Sequence, residues 1–353
     1  MASFGRNGRF MTEALRLFGR EQLLEHLSRR KVPQIIVDDL YYFPASLKAS
    51  DIRDAFLTPA LEQGLILKTG TEIAHLDLEN GRIRGVVLTG GTRLACEKFI
   101  LCSGGTAMLP RGTAANGLAL VREAGHKITP PLPAMAPLFL AQEGLKQLAG
   151  LSLPEAVISL VCGNISLQSR GTLLFTHDGL SGMAALNCSD TAYRCFENKP
   201  EKLKITVNFA PDMTFSDYCA FLEQIRKQEP EKLLKTALSA LFPRALAAEL
   251  CAAGGLTETK AKELKNNQKE PFAKLLSAFP LVLEKLSPME KAMAMSGGVS
   301  LKETDPCTMQ SRLVKGLFFA GEILDLTGPC GGFNIQFALS SGYLAGFSPN
   351  TAE

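Results

Sequence analysis

Gly316-Leu317-Phe318-Phe319-Ala320-Gly321-Glu322-Ile323-Leu324-Asp325, followed by Gly328 and then by Gly331-Gly332-Phe333-Asn334-Ile335-Gln336, decides the reading of this chain. An apolar run of strand type leads into a glycine-rich turn that holds a lone acid, and a helix starts beyond it. A strand end would place Asp325 at the carboxyl edge of a sheet, where ligands of α/β sheets bind. Gly331 and Gly332 carry no Cβ, so backbone there can approach a ligand closely. The unpaired N–H groups of the next helix then point at negative charge. Phe333, Phe337, Leu344 and Phe347 can share one face of that helix, with Ala338 and Ala345 permitting close packing. The arrangement suits a large anionic ligand.

Working outward, 353 residues are long for one core and predict two or three domains. A net charge of +3 is too small to argue for nucleic acid. The nine cysteines contain no C-x-x-C pair and no His/Cys cluster at metal spacing, so they read as reduced thiols of a cytoplasmic protein with no metal site. No apolar run approaches the roughly 20 residues that span a bilayer, so no membrane partner is expected.

The periodicity predicts a helix from Met11 to Arg30, strands at Gln34–Val37 and Tyr41–Phe43, and a helix from Ser50 to about Gln63 with Gly64 as its C-terminal cap. Leu65–Lys68, Thr71–Leu78 and Ile83–Leu88 alternate as a three-stranded meander. Lys98–Cys102 reads as a buried strand entering Ser103-Gly104-Gly105, with a helix from about Ala114 to Ala124. The proline-dense stretch Thr129–Pro137 marks a domain boundary. Strand-like segments follow, and helix-forming sequence dominates from Thr214 to Phe279. The expected organisation is 1–136 as the first part of one domain, 137–288 as an insert (137–212 β-rich, 213–288 helical), and 289–353 as the return to the first domain.

The C-terminal stretch resembles the flavin-binding signature of the HI0933-like flavoproteins, the family of FAD-dependent oxidoreductases that includes the BaiN-type enzymes. Three further stretches agree in order: Leu173–Gly182 with its Thr176-His177-Asp178-Gly179, Ala294–Leu301 around Gly297-Gly298, and Thr308–Val314. The resemblance runs from about Ala2 to Gly346. It implies an α/β fold with a Rossmann-like FAD-binding domain of glutathione-reductase type and an inserted β-rich plus helical domain. It also implies non-covalent FAD, hydride exchange with a small-molecule substrate, and NAD(P)H as a candidate electron donor.

The resemblance further implies a G-x-G-x-x-G motif in an N-terminal βαβ unit, and this chain carries none. Such a unit takes roughly 30 residues or more. The expectation is therefore a truncated member, incomplete at the N-terminus, with an open sheet edge and an exposed apolar groove. The alternative function is an inactive fragment that serves as an interaction module or as one half of a split flavoprotein, whose partner is a separately encoded N-terminal half. Gly104-Gly105 resembles the family's second glycine pair, and the family run after it is altered here, at Ala107–Gly117.

Against that background the candidate cofactor-binding residues are Gly104, Gly105, Gly321, Glu322, Asp325, Gly331, Gly332, Phe333, Asn334 and Gln336. Asp325 can accept hydrogen bonds from ribityl hydroxyls, its bland alternative being a helix N-cap. Backbone N–H groups around Asn334 and Gln336 can stabilise charge on the reduced ring. His177 is the candidate catalytic residue, because imidazole suits proton donation while hydride leaves the flavin; the alternative is a turn histidine that bonds local backbone. Asn7 and Arg9 resemble a family N-G-R-F run. His26, His75 and His126 show no polar constellation in sequence and read as structural.

Overall fold

The computed structural model describes residues 2–37, 41–108 and 116–347. Most of the altered run after the second glycine pair, at 109–115, lies outside them. The chain divides into two compact units, Met1–Pro131 with Met295–Glu353, and Leu132–Ala294. The sequence reading put these changeovers at 136/137 and 288/289.

After a 3-10 stretch, Ala2–Met11, the first unit has two helices, Thr12–Leu17 (α1) and Arg20–Arg29 (α2), where the apolar stripe predicts one. The break falls at Gly19, a poor helix former. Its backbone is extended, and Gln22 Oε1 takes its N–H at 3.0 Å as the cap of α2. Gln34–Val37 (β1) and Tyr41–Pro44 (β2), both expected as strands, pair antiparallel. Ala49–Glu62 (α3) follows and ends before Gly64, whose φ is +93°.

Residues 65–68, expected as a strand, join no ladder: the Leu65 N–H turns back onto Ala60 O at 3.0 Å, and Ile66 is 78% exposed. The meander is built instead from Ile73–Glu79 (β3), Arg82–Leu88 (β4) and Arg93–Ala95 (β5). Phe99–Leu101 (β6) and Asn116–Glu123 (α4) come next. The proline-dense stretch runs largely as a strand, Ile128–Ala134 (β7). It belongs to a sheet of two, where edge positions tolerate residues without an N–H.

The second unit contains Leu138–Leu140 (β8), Glu143–Lys146 (α5), Ser152–Cys162 (β9), Ile165–Thr176 (β10) and Gly179–Ser181 (β11). Met183–Asn198 (α6) and Leu203–Asn208 (β12) follow. Phe215–Gln228 (α7), Leu234–Ala237 (α8), Arg244–Ala253 (α9) and Asn266–Ser277 (α10) form its helical part, and Phe279–Leu281 (β13) and Leu283–Lys285 (β14) close it. Its strands make one antiparallel sheet in the order β13-β12-β9-β10-β11-β8-β14. The alternation along β9 buries Ile158, Leu160 and Cys162 while Val161 stays exposed, so one face of the sheet makes the core. Helix α6 contributes Ala185, Cys188 and Tyr193 to that core.

The chain returns through Ala294–Val299 (β15), which pairs with β7, and then forms Leu317–Phe319 (β16) and Phe333–Phe347 (α11). β16 lies parallel to β6. On α11, Phe337 and Leu344 are buried as the pattern predicts, together with Ser340 and Ser341, whereas Phe347 is exposed.

Candidate functional site

Register places the site. Leu101 stands opposite Phe319, and Ala320 N donates to Leu101 O at 3.2 Å, so both parallel strands end at one level and their turns leave side by side. After β6 the turn carries Gly104 and Gly105. A Cβ added to Gly105 would stand 2.9 Å from Met295 Cβ and 3.1 Å from the Glu322 carboxyl group. Its close approach is thus to its own chain. After β16 a single 3-10 turn, Gly321–Ile323, intervenes before Asp325, so the acid lies beyond the strand end rather than on it. Gly321 N donates to Ser341 Oγ of α11 at 2.9 Å.

Both acids of this turn are tied in. Glu322 Oε1 accepts Met295 N at 2.6 Å, and Oε2 accepts Gly105 N at 3.2 Å. Asp325 Oδ2 accepts the Thr129 hydroxyl at 2.7 Å, while Asp325 N donates to Val299 O at 2.9 Å. Asp325 is half-buried, and its other oxygen carries no hydrogen bond among the described residues. It does not act as a helix cap, because α11 begins eight residues later, at Phe333.

Gly331 and Gly332 are exposed, with φ of +112° and +84°. These angles favour glycine because other residues meet their own Cβ there. A Cβ on Gly332 would meet nothing within 4 Å, so bare backbone faces open space. Phe333 packs edge-on against Phe4 at 6.2 Å. The Asn334 side chain clasps Gly328, accepting its N–H at 2.7 Å and donating to its carbonyl at 3.0 Å. Gln336 Nε2 donates to Phe18 O at 3.1 Å and to Ser340 Oγ at 2.9 Å. These two side chains hold the loop in place. α11 begins here, so the positive end of its dipole lies beside this loop.

His177 belongs to the second unit, exposed in the turn between β10 and β11. Its neighbour Asp178 is paired with Lys291 at 2.6 Å. Asn7 and Arg9 are exposed. Cys330, inside the glycine loop, is buried, and burial pushes its thiol up, which keeps it protonated and unreactive.

His126 corrects the sequence reading. Its side chain is fully buried, with Nδ1 3.0 Å from Glu303 Oε2 and Nε2 2.8 Å from Ser311 Oγ. Ser311 Oγ also accepts Leu313 N and Val314 N, and Glu303 Oε2 accepts Lys127 N. The carboxylate only accepts, so Nδ1 carries the proton and Nε2 accepts the serine hydroxyl. The imidazole edge meets the ring of Phe319 on β16 at 5.0 Å. Burial lowers the His126 pKa against the opposing pull of Glu303. Among the described residues no helix is long and apolar enough to cross a membrane.

Parallel strands whose carboxyl ends carry a glycine pair, a glycine-flanked acid and a following helix are the arrangement of a Rossmann-type fold. The chain belongs to the HI0933-like family, whose Rossmann-domain description matches residues 1–348. The fold class is α/β with a Rossmann-type FAD-binding domain, and the enzyme class that goes with it is FAD-dependent oxidoreductase. The chain is 29% identical over 309 residues to the 3-dehydro-bile acid delta(4,6)-reductase of Clostridium scindens, covering 87% of this chain and 74% of that protein. It is 30% identical over 256 residues to the ribosomal RNA dihydrouridine synthase of Escherichia coli, covering 72% of this chain and 60% of the relative. The enzyme of the same name from Haemophilus influenzae is 28% identical over 269 residues, covering 76% and 64%. The chain therefore spans three quarters of the first relative and less than two thirds of the other two.

Proposed function

We propose that this chain holds FAD non-covalently at the carboxyl ends of β6 and β16 and exchanges hydride with a conjugated carbon–carbon double bond of a small organic substrate, with NAD(P)H as electron donor. The observation that carries the reading is the half-buried Asp325, fixed by Thr129 and with one oxygen left over, beside bare glycine backbone at the start of α11. The residues present fit the cofactor. Asp325 offers an acceptor to a ribityl hydroxyl, and the amides at the start of α11 face negative charge. FAD, when bound, supplies the hydride chemistry. The protein's part is to orient the ring and to stabilise charge with the helix dipole.

The named reaction of the Clostridium relative supports a conjugated ketone as substrate. The names of the other two relatives favour a second reading, reduction of a uracil ring in RNA. The +3 net charge speaks for the smaller substrate. An anaerobic assay separates them: the FAD-loaded chain, reduced by NAD(P)H, is mixed with a 3-oxo-4,6-diene steroid or with unmodified ribosomal RNA, and return of the oxidised flavin band is followed. Reoxidation by the steroid alone is expected. Reoxidation by RNA alone would install the second reading, and reoxidation by neither, with flavin bound, would remove both.

A further inference from the structure

Glu322 stands among the candidate cofactor residues, yet both of its oxygens are engaged by the protein's own backbone, Oε1 by Met295 N and Oε2 by Gly105 N. Gly105 lies in the turn after β6, and Met295 lies on β15. Met295 is held at two further points: its carbonyl accepts the Thr327 hydroxyl at 2.7 Å, and its sulfur accepts the Thr106 hydroxyl at 3.5 Å. β15 is tied in turn to the acid-bearing loop, because Asp325 N donates to Val299 O at 2.9 Å. The glycine pair, β15 and the Gly321–Asp325 turn are thus one hydrogen-bonded block, with the Glu322 carboxyl group where all three meet. A carboxylate, which only accepts, answers two converging N–H donors, whereas a carboxamide would turn an NH₂ toward one of them.

We infer that Glu322 is a positioning residue: it sets the spacing between the Gly104–Gly105 turn and Asp325, and acts on FAD through that spacing rather than by touching it. The inference rests on the FAD reading above. Two variants test it. Glu322→Gln keeps the size and loses one acceptor, while Glu322→Asp keeps the charge and is one methylene too short to span both amides. Hydrogen exchange of the Gly105 and Met295 amides is measured without FAD. FAD affinity and the position of the bound-flavin band are measured by titration.

The expected result is faster exchange at both amides in either variant, unchanged exchange in β9 and β10, FAD binding weakened roughly ten- to a hundredfold, and a band moved toward that of free FAD. Should either variant fail to fold, the other carries the comparison. Loss of FAD affinity with amide protection intact would mean direct contact and overturn the inference. So would FAD binding with unchanged affinity and an unmoved band. Failure of the unaltered chain to bind FAD would instead remove the FAD reading itself, and the role with it.

Discussion

Replacing His126 with leucine isolates a buried polar contact that packs directly against the strand leading into the site. Leucine fills most of the space and cannot titrate. At neutral pH the change removes the 2.8 Å bond from Ser311 and the 3.0 Å bond to Glu303. A buried hydroxyl left without its acceptor costs about 1–3 kcal/mol, and a bond to a charged group contributes about 1.5–3 kcal/mol. Glu303 is 17% exposed and keeps the Lys127 N–H, so its share lies at the low end. The sum is about 3 kcal/mol, or roughly a hundredfold faster opening of the Leu301–Val314 segment by hydrogen exchange at pH 7.5.

The pH dependence has a definite sign. Burial lowers the folded pKa of His126 below the ordinary 6.5, so the folded state holds fewer protons than the open one at mildly acid pH. This contribution to stability is complete above pH 6.5 and is lost as pH falls toward the folded value. The gap between the unaltered chain and His126→Leu should therefore be widest at pH 7.5 and narrow as pH falls below 6.5. Equal protection at pH 7.5, or a gap that widens in acid, would refute the reasoning.

Thr129→Val removes the hydroxyl that fixes Asp325, a half-buried neutral-to-charged bond of about 1–2 kcal/mol, and should weaken FAD binding by roughly tenfold in a fluorescence titration while leaving the fold intact. Thiol titration of the native chain should label Cys307 first, because it is exposed, ahead of Cys102, whose thiol burial pushes up. Cys188 and Cys251, whose thiols burial pushes up to about 12, should react only on unfolding; early labelling of either would place them outside the core.

The site's frame was legible because its signals are local. Apolar Leu317–Phe319, the glycines around Asp325 and the face of α11 follow one another in sequence, and each has a physical cause readable within a few residues. His126 was not legible, since its partners lie 177 and 185 residues away and nothing near it announces them. The same limit hid the neighbour of Gly105: two adjacent glycines signal a close approach, and the fold alone reveals that Met295 and Glu322 make it. Leu65–Lys68 has the composition of a strand, but a strand exists only when another pairs with it. Gly19 was a visible signal, and the apolar stripe that runs across it masked the break between α1 and α2.

The central claim, FAD held at the ends of β6 and β16, is tested most directly by mixing the purified chain with FAD, removing the excess by gel filtration, and recording the visible spectrum beside that of Asp325→Ala. The account predicts a retained flavin band for the unaltered chain and its loss in the variant. A folded chain with no flavin band, or an Asp325→Ala variant that keeps FAD as well as its parent, would contradict it.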